Sequence, residues 1–432
     1  MMNEVTVVGA GLAGCEAAWQ LAKQGIPVRL IEMKPERYSP AHKKADFAEL
    51  VCSNSLKAEH LTNASGLLKA EMNRFGSLIL DAARAARVPA GTALAVDRDR
   101  FSRIITETVE SQPLIRVERR TVERLPDEPA VIATGPLTDP GLLDALKALP
   151  GLTALHFFDA AAPIVTAESL DMERLFRQSR NGAGDDYLNS PMDRAQYDAF
   201  YEALTNAELA PLHDFEKGLV FEGCLAVEIL ASRGHDTLAY GPMRPVGLTD
   251  PRTGRTPYAV VQLRQENEAG TLYNLVGFQT RLKWGEQKRV FSMLPGLENA
   301  EFARYGVMHR NTYLNSPDIL GRNFALKDRQ LTRFAGQMTG VEGYVESAAS
   351  GFVAGLNLGR AMRGLGEIDF GGETMLGALE RHVRTETRNF QPMNANFGIL
   401  MPLNERVRGK KNRYEAYAQR SLTIIDRLME DI

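Results

Sequence analysis

The sequence has few cysteines, no long apolar run and no excess of one charge. Only three cysteines occur among 432 residues, Cys15, Cys52 and Cys224, and none belongs to the C-x-x-C pattern of zinc or dithiol redox sites. We therefore expect neither a disulfide framework nor a metal site. No run of roughly 18 apolar residues predicts a membrane span. The first apolar strand begins at Val5, which leaves no room for a signal peptide, so we predict a cytoplasmic protein.

Positive and negative side chains nearly balance. The chain carries 51 Lys and Arg against 54 Asp and Glu, a formal net charge of −3 at pH 7. This balance excludes a uniformly basic nucleic-acid-binding protein, so contact with RNA would need a local basic patch. A chain of this length exceeds one simple core, and we expect two domains.

The most informative stretch runs from Val5 to Glu32. An apolar strand leads into glycines spaced G-x-G-x-x-G, a small-residue helix follows, and a second strand ends in Glu32. In a dinucleotide-binding βαβ unit these glycines allow a tight turn, the approach of a pyrophosphate and close helix packing. The terminal acid accepts hydrogen bonds from a ribose hydroxyl. The predicted cofactor-binding residues here are Gly9, Ala10, Gly11, Leu12, Ala13, Gly14 and Glu32.

Two later stretches favour FAD over NAD. Ala130–Gly135 predicts a buried strand ending in Ala-Thr-Gly, as in flavoproteins of the two-dinucleotide kind, with Thr134 and Gly135 near the cofactor. Phe334–Arg360 reads as a strand, a glycine turn and a helix rich in Ala, Ser and Gly that should pack close to a sheet. The free N–H groups and positive dipole at the helix start suit the electron-rich N1–C2=O edge of a flavin. The predicted contacts are Gly340, Val341, Glu342 and Gly343.

These motifs predict an α/β fold: a Rossmann-type FAD-binding domain with an inserted smaller α+β domain. We assign residues 1–155 and 325–432 to the FAD-binding domain and residues 156–324 to the insertion, where short strands alternate with turns. Within the insertion, Gln178–Asp193 is predicted to be a polar loop. Leu67–Ala86 has helical periodicity over its whole length.

The three cysteines have different surroundings. Cys52 stands among small hydrogen-bonding residues rather than aliphatic ones, which favours a functional thiol. Cys15 lies among Ala and Gly of the fingerprint helix and is predicted to be a packing residue. Cys224 has Glu222 and Glu228 nearby, which disfavour a thiolate, so a packed and a functional thiol both stay open.

Two segments are locally basic. Cations outnumber acids from Thr280 to Arg310, with Trp284 and Tyr305 interleaved, and residues 406–413 carry five cations and no acid. Cations beside aromatic rings suit phosphate contact and base stacking, although a solvated face is the more common explanation. The candidate RNA-binding residues are Arg281, Lys283, Lys288, Arg289, Arg310, Arg406, Arg408, Lys410 and Lys411.

With these motifs assembled, the chain resembles, nearly end to end, the bacterial folate- and FAD-dependent tRNA uracil-5-methyltransferases. The residues that carry the resemblance are Val8–Ala18, Leu50–Leu56, Val88–Gly91, Ala95–Arg98, Phe221–Leu225, His309–Tyr313 and Gly336–Tyr344. A sister family that modifies the wobble uridine of tRNA shares the first and last of these motifs. Its members are much longer and carry an extra helical C-terminal domain. Ser190 departs from the pattern, because the family leads us to expect Cys there.

The resemblance implies methylation of uridine at C5 in the T loop of tRNA, at position 54. It implies that 5,10-methylenetetrahydrofolate supplies the carbon, reduced FAD the electrons, and NADH or NADPH regenerates the flavin. It also implies a thiolate that adds to uracil C6; we favour Cys224 as this nucleophile and Cys52 as the flavin-side thiol. Tyr344 becomes a candidate to stack on folate or isoalloxazine, and the basic residues become candidates to hold tRNA phosphates.

Other functions stay open at this point. They are a wobble-uridine modification flavoprotein, a small-molecule flavin oxidoreductase without a nucleic-acid substrate, and a non-catalytic FAD-bound RNA-binding protein. The oligomeric state is also open, and a monomer is compatible with the sequence. Because chemistry at C5 and C6 needs the base out of its stack, we expect base flipping.

Overall fold

The computed structural model describes residues 4–210, 225–387 and 390–430, of which 154, 156–159, 181, 309 and 310 by their backbone alone. The α-helices are Leu12–Lys23, Ala64–Arg74, Leu78–Ala85, Arg98–Glu110, Pro140–Lys147, Arg194–Thr205, Val227–Ser232, Thr237–Tyr240, Trp284–Phe291, Ser316–Ile319, Tyr344–Met362, Met375–Arg384 and Lys410–Glu430. The strands are Val5–Val8, Val28–Glu32, Ser55–Ala58, Arg87–Val88, Ala93–Val96, Ile115–Arg119, Ala130–Ile132, Ala154–Ala160, Ile164–Thr166, Phe176–Arg177, Leu188–Met192, Ala259–Gln265, Leu272–Leu275, Phe302–Arg304, Met308–Leu314, Ala325–Leu326 and Arg329–Phe334.

The central sheet is parallel except at one edge. Val5–Val8 lies in the middle and pairs in parallel with Val28–Glu32 on one side and Ala130–Ile132 on the other. Arg329–Phe334, from late in the chain, pairs in parallel with Ala130–Ile132. Parallel strands need covering helices on both faces, and nearly every residue of Val5–Val8, Val28–Glu32 and Ala130–Ile132 is buried. This sheet confirms the predicted Rossmann-type α/β fold.

A second sheet lies in the predicted insertion. It is antiparallel and joins Ile164–Thr166 with Leu272–Leu275 and Ala259–Gln265 with Leu188–Met192. Buried apolar side chains form two large clusters, one drawn from residues 5–152 and 314–425, the other from residues 165–300. A two-stranded ladder, Ala154–Ala160 with Met308–Leu314, carries the chain between them. The exact domain boundaries stay a prediction.

Two local predictions are wrong. Leu188–Met192, predicted to be loop, is a strand, because its polar side chains are buried with hydrogen-bond partners. Asn189 donates to the carbonyl of Phe176 at 3.1 Å, and the Ser190 hydroxyl donates to the carbonyl of Pro295 at 2.7 Å. The helical pattern of Leu67–Ala86 is two helices, separated at Gly76, whose φ of 71° a helix interior does not allow.

The glycine-rich helix Tyr344–Met362 makes its closest approach to another helix rather than to a sheet. A Cβ at Gly351 would lie 2.1 Å from the carbonyl oxygen of Ala13, and one at Gly355 would lie 2.5 Å from that of Ala17. Both carbonyls belong to the fingerprint helix Leu12–Lys23. The absence of side chains therefore lets the two helices cross in contact and brings both helix starts to one cleft. Within the described residues, none of the helices has the length and apolarity needed to cross a bilayer.

Candidate active site

A cleft of about 370 Å³ lies beyond the carboxyl ends of the central strands. In open α/β sheets this edge is where ligands bind. Most of the predicted cofactor and thiol residues line it: Gly9, Ala10, Gly11, Leu12, Ala13, Glu32, Cys52, Thr134, Gly135, Glu342, Gly343 and Tyr344. Of the predicted residues that the structure describes, Gly14, Gly340 and Val341 are not among its lining residues.

The fingerprint glycines have different surroundings, which suit different tasks. Gly9 has a φ of 96°, and a Cβ there would lie 2.6 Å from the carbonyl oxygen of Ala133. A Cβ at Gly14 would lie 1.8 Å from the carbonyl oxygen of Gly9, so this glycine serves the packing of turn against helix. At Gly11 no protein atom lies within 4 Å of such a Cβ. Gly11 therefore presents bare backbone to the cleft at a helix start, which suits a pyrophosphate.

Glu32 connects the fingerprint turn to the second strand. Its carboxylate accepts hydrogen bonds from the backbone N–H groups of Ala10 at 2.8 Å and Lys34 at 3.0 Å. The side chain is buried, yet it lines the cleft. Because a carboxylate has about four acceptor positions, it can also accept from the hydroxyls of a ribose.

The second predicted turn closes the cleft from the C-terminal part of the chain. A Cβ at Gly340 would lie 2.4 Å from the ring of Phe390, and Val341 bridges to Met393 as an isolated parallel pair. These two residues hold the turn in place. Glu342 and Gly343 then face the cleft, and the helix begins at Tyr344.

The loop that carries Cys52 is fixed from both sides. The Tyr344 hydroxyl accepts hydrogen bonds from the backbone N–H groups of Cys52 at 2.8 Å and Ser53 at 3.2 Å. Arg304 donates to the carbonyl oxygens of Val51 at 3.1 Å and Cys52 at 3.4 Å. The thiol itself lies half-buried in the cleft, with Sγ 3.7 Å from the carbonyl oxygen of Ala160.

Two guanidinium groups give the Cys52 loop a positive environment. Burial lowers the pKa of Arg98, because it disfavours the charged guanidinium. The Glu266 carboxylate, 2.7 Å away, acts against burial and raises this pKa above its ordinary value, and Cys52 makes a smaller contribution in the same direction. Burial and the neighbouring Arg98 lower the pKa of Arg304. Burial raises the pKa of Tyr344, so its phenol stays neutral. Cations beside a thiol favour its thiolate, the form that reacts.

Sequence reasoning missed three arginines at this loop. Arg98 donates to the carbonyl oxygen of Leu50 at 2.9 Å, and Arg264 donates to the Asn54 side chain at 2.8 Å. Arg304 was visible as part of the basic segment 280–310, but it points to the thiol loop rather than to solvent. The available signal for Arg98 was its place in the shared motif Ala95–Arg98.

Some of the predicted site residues lie outside the described residues. Cys224 lies outside the described residues, and so does the side chain of Arg310. Cys15 is fully buried and donates to the carbonyl oxygen of Ala10 at 3.3 Å, as expected of a packing residue. No group of three or more His, Cys, Asp or Glu side chains able to hold a metal occurs in the described ranges.

The two basic segments belong to different parts of the fold. Trp284 is 63% exposed and stacks on Tyr305, with ring centroids 5.5 Å apart and planes 12° apart. Two cations near Trp284 form salt bridges. Lys283 pairs with Glu208 and Arg289 pairs with Glu286, each at 2.6 Å. Arg281 is half-buried and Lys288 is exposed. Near the C-terminal helix, the exposed cations are Arg406, Arg408, Lys410 and Lys411. Their contact with RNA stays a prediction.

Comparison with known proteins gives one family over the whole chain. Residues 4–366 match the family model described as GIDA, glucose inhibited division protein A. The "Methylenetetrahydrofolate--tRNA-(uracil-5-)-methyltransferase TrmFO" of Desulforudis audaxviator is 60% identical over 98% of this chain and 97% of its own length. The protein of the same name from Enterococcus faecalis is 53% identical over 100% of both chains. The chain belongs to the TrmFO family.

Membership of the TrmFO family confirms the resemblance seen in the sequence motifs. Among solved structures, Aquifex aeolicus GidA in its form II crystal matches with a TM-score of 0.71 at 15% identity. The match covers 98% of this chain and 73% of that one. At this identity the likeness shows the fold alone, and it agrees with the α/β architecture described above.

Proposed function

We propose that the protein methylates C5 of uridine 54 in the T loop of tRNA. The carbon donor is 5,10-methylenetetrahydrofolate, and the reductant is FAD kept reduced by NADH or NADPH. The observation that carries this proposal is the Cys52 thiol, held by Tyr344 and Arg304 in a cleft with a dinucleotide fingerprint. The names of two relatives, at 60% and 53% identity, support methylenetetrahydrofolate as the donor and uracil C5 of tRNA as the target.

The residues of the cleft fit FAD. Gly11 leaves room for a pyrophosphate, Glu32 offers acceptors to a ribose, and Gly343 begins a helix whose N–H groups face the cleft. When bound, FAD supplies the two electrons that convert a one-carbon unit at the formaldehyde level into a methyl group. The protein residues bind it, orient it and exclude water.

Uracil C5 needs activation, and a cysteine provides it. A thiolate that adds to C6 leaves C5 electron-rich, so that C5 can form a bond to the one-carbon unit while the bond from that carbon to its carrier nitrogen breaks and the nitrogen keeps the electron pair. C5 then loses its proton, and the thiolate leaves as the C5–C6 double bond returns. We assign the attack on C6 to Cys224. Cys52, which lines the cleft, acts as the flavin-side thiol that moves a proton.

Arg98 and Arg304 are positioning residues for this thiol. Arg98 donates to the carbonyl oxygen of Leu50, and Arg304 donates to those of Val51 and Cys52, which fixes the loop. Tyr344 holds the same loop through its hydroxyl while its ring stays available in the cleft to stack on folate or isoalloxazine.

Transfer of a labelled carbon tests the proposal directly. The purified protein is incubated with FAD, NADPH, methylenetetrahydrofolate labelled in its one-carbon unit and a T-loop transcript. We expect label at C5 of uridine 54. A transcript with cytidine at that position is the control. It should stay unlabelled, because it lacks the target uridine and keeps the rest of the loop. Absence of label in both transcripts would overturn the proposal.

The cysteines separate this proposal from a small-molecule flavin oxidoreductase. Cys52→Ala and Cys224→Ala should each abolish methyl transfer while oxidation of NADPH by the flavin continues. Cys15→Ala is the matched control, because this thiol is fully buried and does not line the cleft. If the wild-type protein transferred no methyl group, and the double variant Cys52→Ala with Cys224→Ala oxidised NADPH at the wild-type rate with or without tRNA, the oxidoreductase function would be favoured.

A further inference from the structure

A lysine and a glutamate that have no role so far meet at the start of the glycine-rich helix. Lys57 Nζ lies 2.7 Å from Glu346 Oε1. The Glu346 side chain is 0% exposed, whereas that of Lys57 is 37% exposed and lines the cleft. The pair therefore hides its negative member and presents its positive member to whatever the cleft holds.

The backbone around this pair is held in an unfavourable conformation. Lys57 has a φ of 63°, in the left-handed region that is unfavourable for a residue with a side chain. A Cβ at Gly343 would lie 2.3 Å from Glu346 Oε2 and 2.7 Å from Lys57 Nζ. Such conformations persist where the surroundings fix them, and they concentrate at functional sites.

The carboxylate of Glu346 depends on this cation. Its Oε1 accepts a second hydrogen bond from the backbone N–H of Ala395 at 3.0 Å. Among the described residues, Oε2 has no hydrogen-bond partner. A buried carboxylate with an unsatisfied oxygen is costly unless a cation lies against it. Glu346 thus holds the ammonium of Lys57 in place.

The location decides what the ammonium acts on. Lys57, Gly343 and Tyr344 line the same part of the cleft, at the start of a 19-residue helix whose dipole attracts negative charge. The pyrimidine edge of a flavin becomes negative on reduction and is neutral when oxidised. We propose that Lys57, held by Glu346, binds this edge and favours reduced over oxidised FAD. The inference rests on the proposed use of FAD.

A redox titration of the FAD-loaded protein, without folate or tRNA, tests the role of Lys57. Lys57→Met should weaken the binding of reduced relative to oxidised FAD by about tenfold, which lowers the two-electron midpoint potential by about 30 mV. Lys57→Arg keeps the charge and should stay near wild type. Glu346→Gln removes the buried negative charge and should move the potential upward.

Opposite shifts in the two variants are the distinguishing result. If Lys57→Met and Glu346→Gln weakened both redox forms equally, the pair would only support the helix start and the inference would fail. Lys147→Met, at an exposed lysine that pairs with Asp144 and does not line the cleft, is the control for loss of a cation, and it should leave the potential unchanged. If Lys57→Met fails to bind FAD, the sign of the Glu346→Gln shift decides. Failure of the proposed function would be seen in a different experiment: the wild-type protein would bind no FAD or would transfer no carbon to tRNA.

Discussion

The hydroxyl oxygen of Tyr344 lies 2.8 Å from the backbone nitrogen of Cys52 and accepts its hydrogen bond. A second bond, from the N–H of Ser53 at 3.2 Å, reaches the same oxygen. One side chain thus ties the start of the glycine-rich helix to a thiol loop 292 residues earlier in the chain. The ring and the hydroxyl of Tyr344 can therefore have separate roles, which substitution can resolve.

Tyr344→Phe should impair the thiol loop and spare the ring. Two half-buried N–H groups lose their acceptor, which costs on the order of 1 kcal/mol and loosens the loop around Cys52. We expect kcat for methyl transfer to fall about tenfold or more, with little change in the KM for folate. Tyr38→Phe, at an exposed tyrosine, is the control. A raised folate KM with unchanged kcat would show that the hydroxyl serves folate instead.

The parts of this site that were predictable from sequence are those with local signals. The fingerprint turn, Glu32 and the turn before Tyr344 each carry their pattern within a few residues, and all reach the cleft. The bond between Tyr344 and Cys52 has no such signal, because the two residues are 292 positions apart in the chain and only the tertiary fold brings them together.

Charge patterns were less informative than glycine patterns. Arg304 has the same residue type and neighbourhood as the exposed cations of its segment, yet its guanidinium is buried against the Cys52 loop. Leu188–Met192 looked like loop because Asn189 and Ser190 are polar. Their burial depends on partners such as Gln262, which donates to Asn189 at 3.0 Å and lies on another strand.

Gly11→Ala should separate cofactor binding from folding. Gly11 has a φ of −77°, which alanine adopts freely, and no protein atom would meet its Cβ. The apoprotein should keep its melting temperature, while FAD affinity falls on the order of tenfold, about 1.4 kcal/mol, because the methyl group occupies the space of the pyrophosphate. Differential scanning fluorimetry and FAD titration measure the two effects.

Two other glycine variants are controls for Gly11→Ala. Gly366→Ala, where the structure also leaves open space, should change neither quantity. Gly14→Ala should destabilise the fold itself, since its Cβ would lie 1.8 Å from a carbonyl oxygen. Equal FAD affinity in Gly11→Ala and wild type would contradict the placement of the pyrophosphate at this turn.

Trp284→Ala should weaken tRNA binding. The ring is exposed and already stacked on Tyr305, so its outer face can accept an unpaired base between flanking cations. Stacking one base contributes roughly 1–3 kcal/mol, so we expect a loss of about tenfold or more in affinity for a T-loop transcript at fixed salt. Tyr240→Ala, at an aromatic residue that is 84% exposed outside the basic segments, is the control. Equal losses in both variants would argue against a specific stacking site.

A fully buried carboxylate joins three helices of the larger core. Glu71, on Ala64–Arg74, accepts hydrogen bonds from the N–H groups of Met375 at 2.7 Å and Leu376 at 2.8 Å, at the start of Met375–Arg384. It also accepts from the Ser421 hydroxyl of the C-terminal helix at 2.5 Å. Burial raises the pKa of Glu71 to about 7, although these three hydrogen bonds act in the opposite direction.

This pKa makes stability depend on pH in a defined direction. Between about pH 4.5 and pH 7, the Glu71 carboxyl keeps its proton in the folded protein, because its pKa is raised. In the unfolded chain the same carboxyl has lost its proton over this range. The contribution of Glu71 to the free energy of unfolding is therefore complete below pH 4.5. It is lost as the pH rises through 7, and the loss is up to about 3 kcal/mol.

Glu71→Gln removes this titration. Urea unfolding across pH 4.5 to 8 should show wild type losing free energy of unfolding relative to the variant, whereas Glu107→Gln, at an exposed acid, should follow wild type throughout. Parallel profiles for wild type and Glu71→Gln would mean that the three hydrogen bonds keep Glu71 ionised in the folded state.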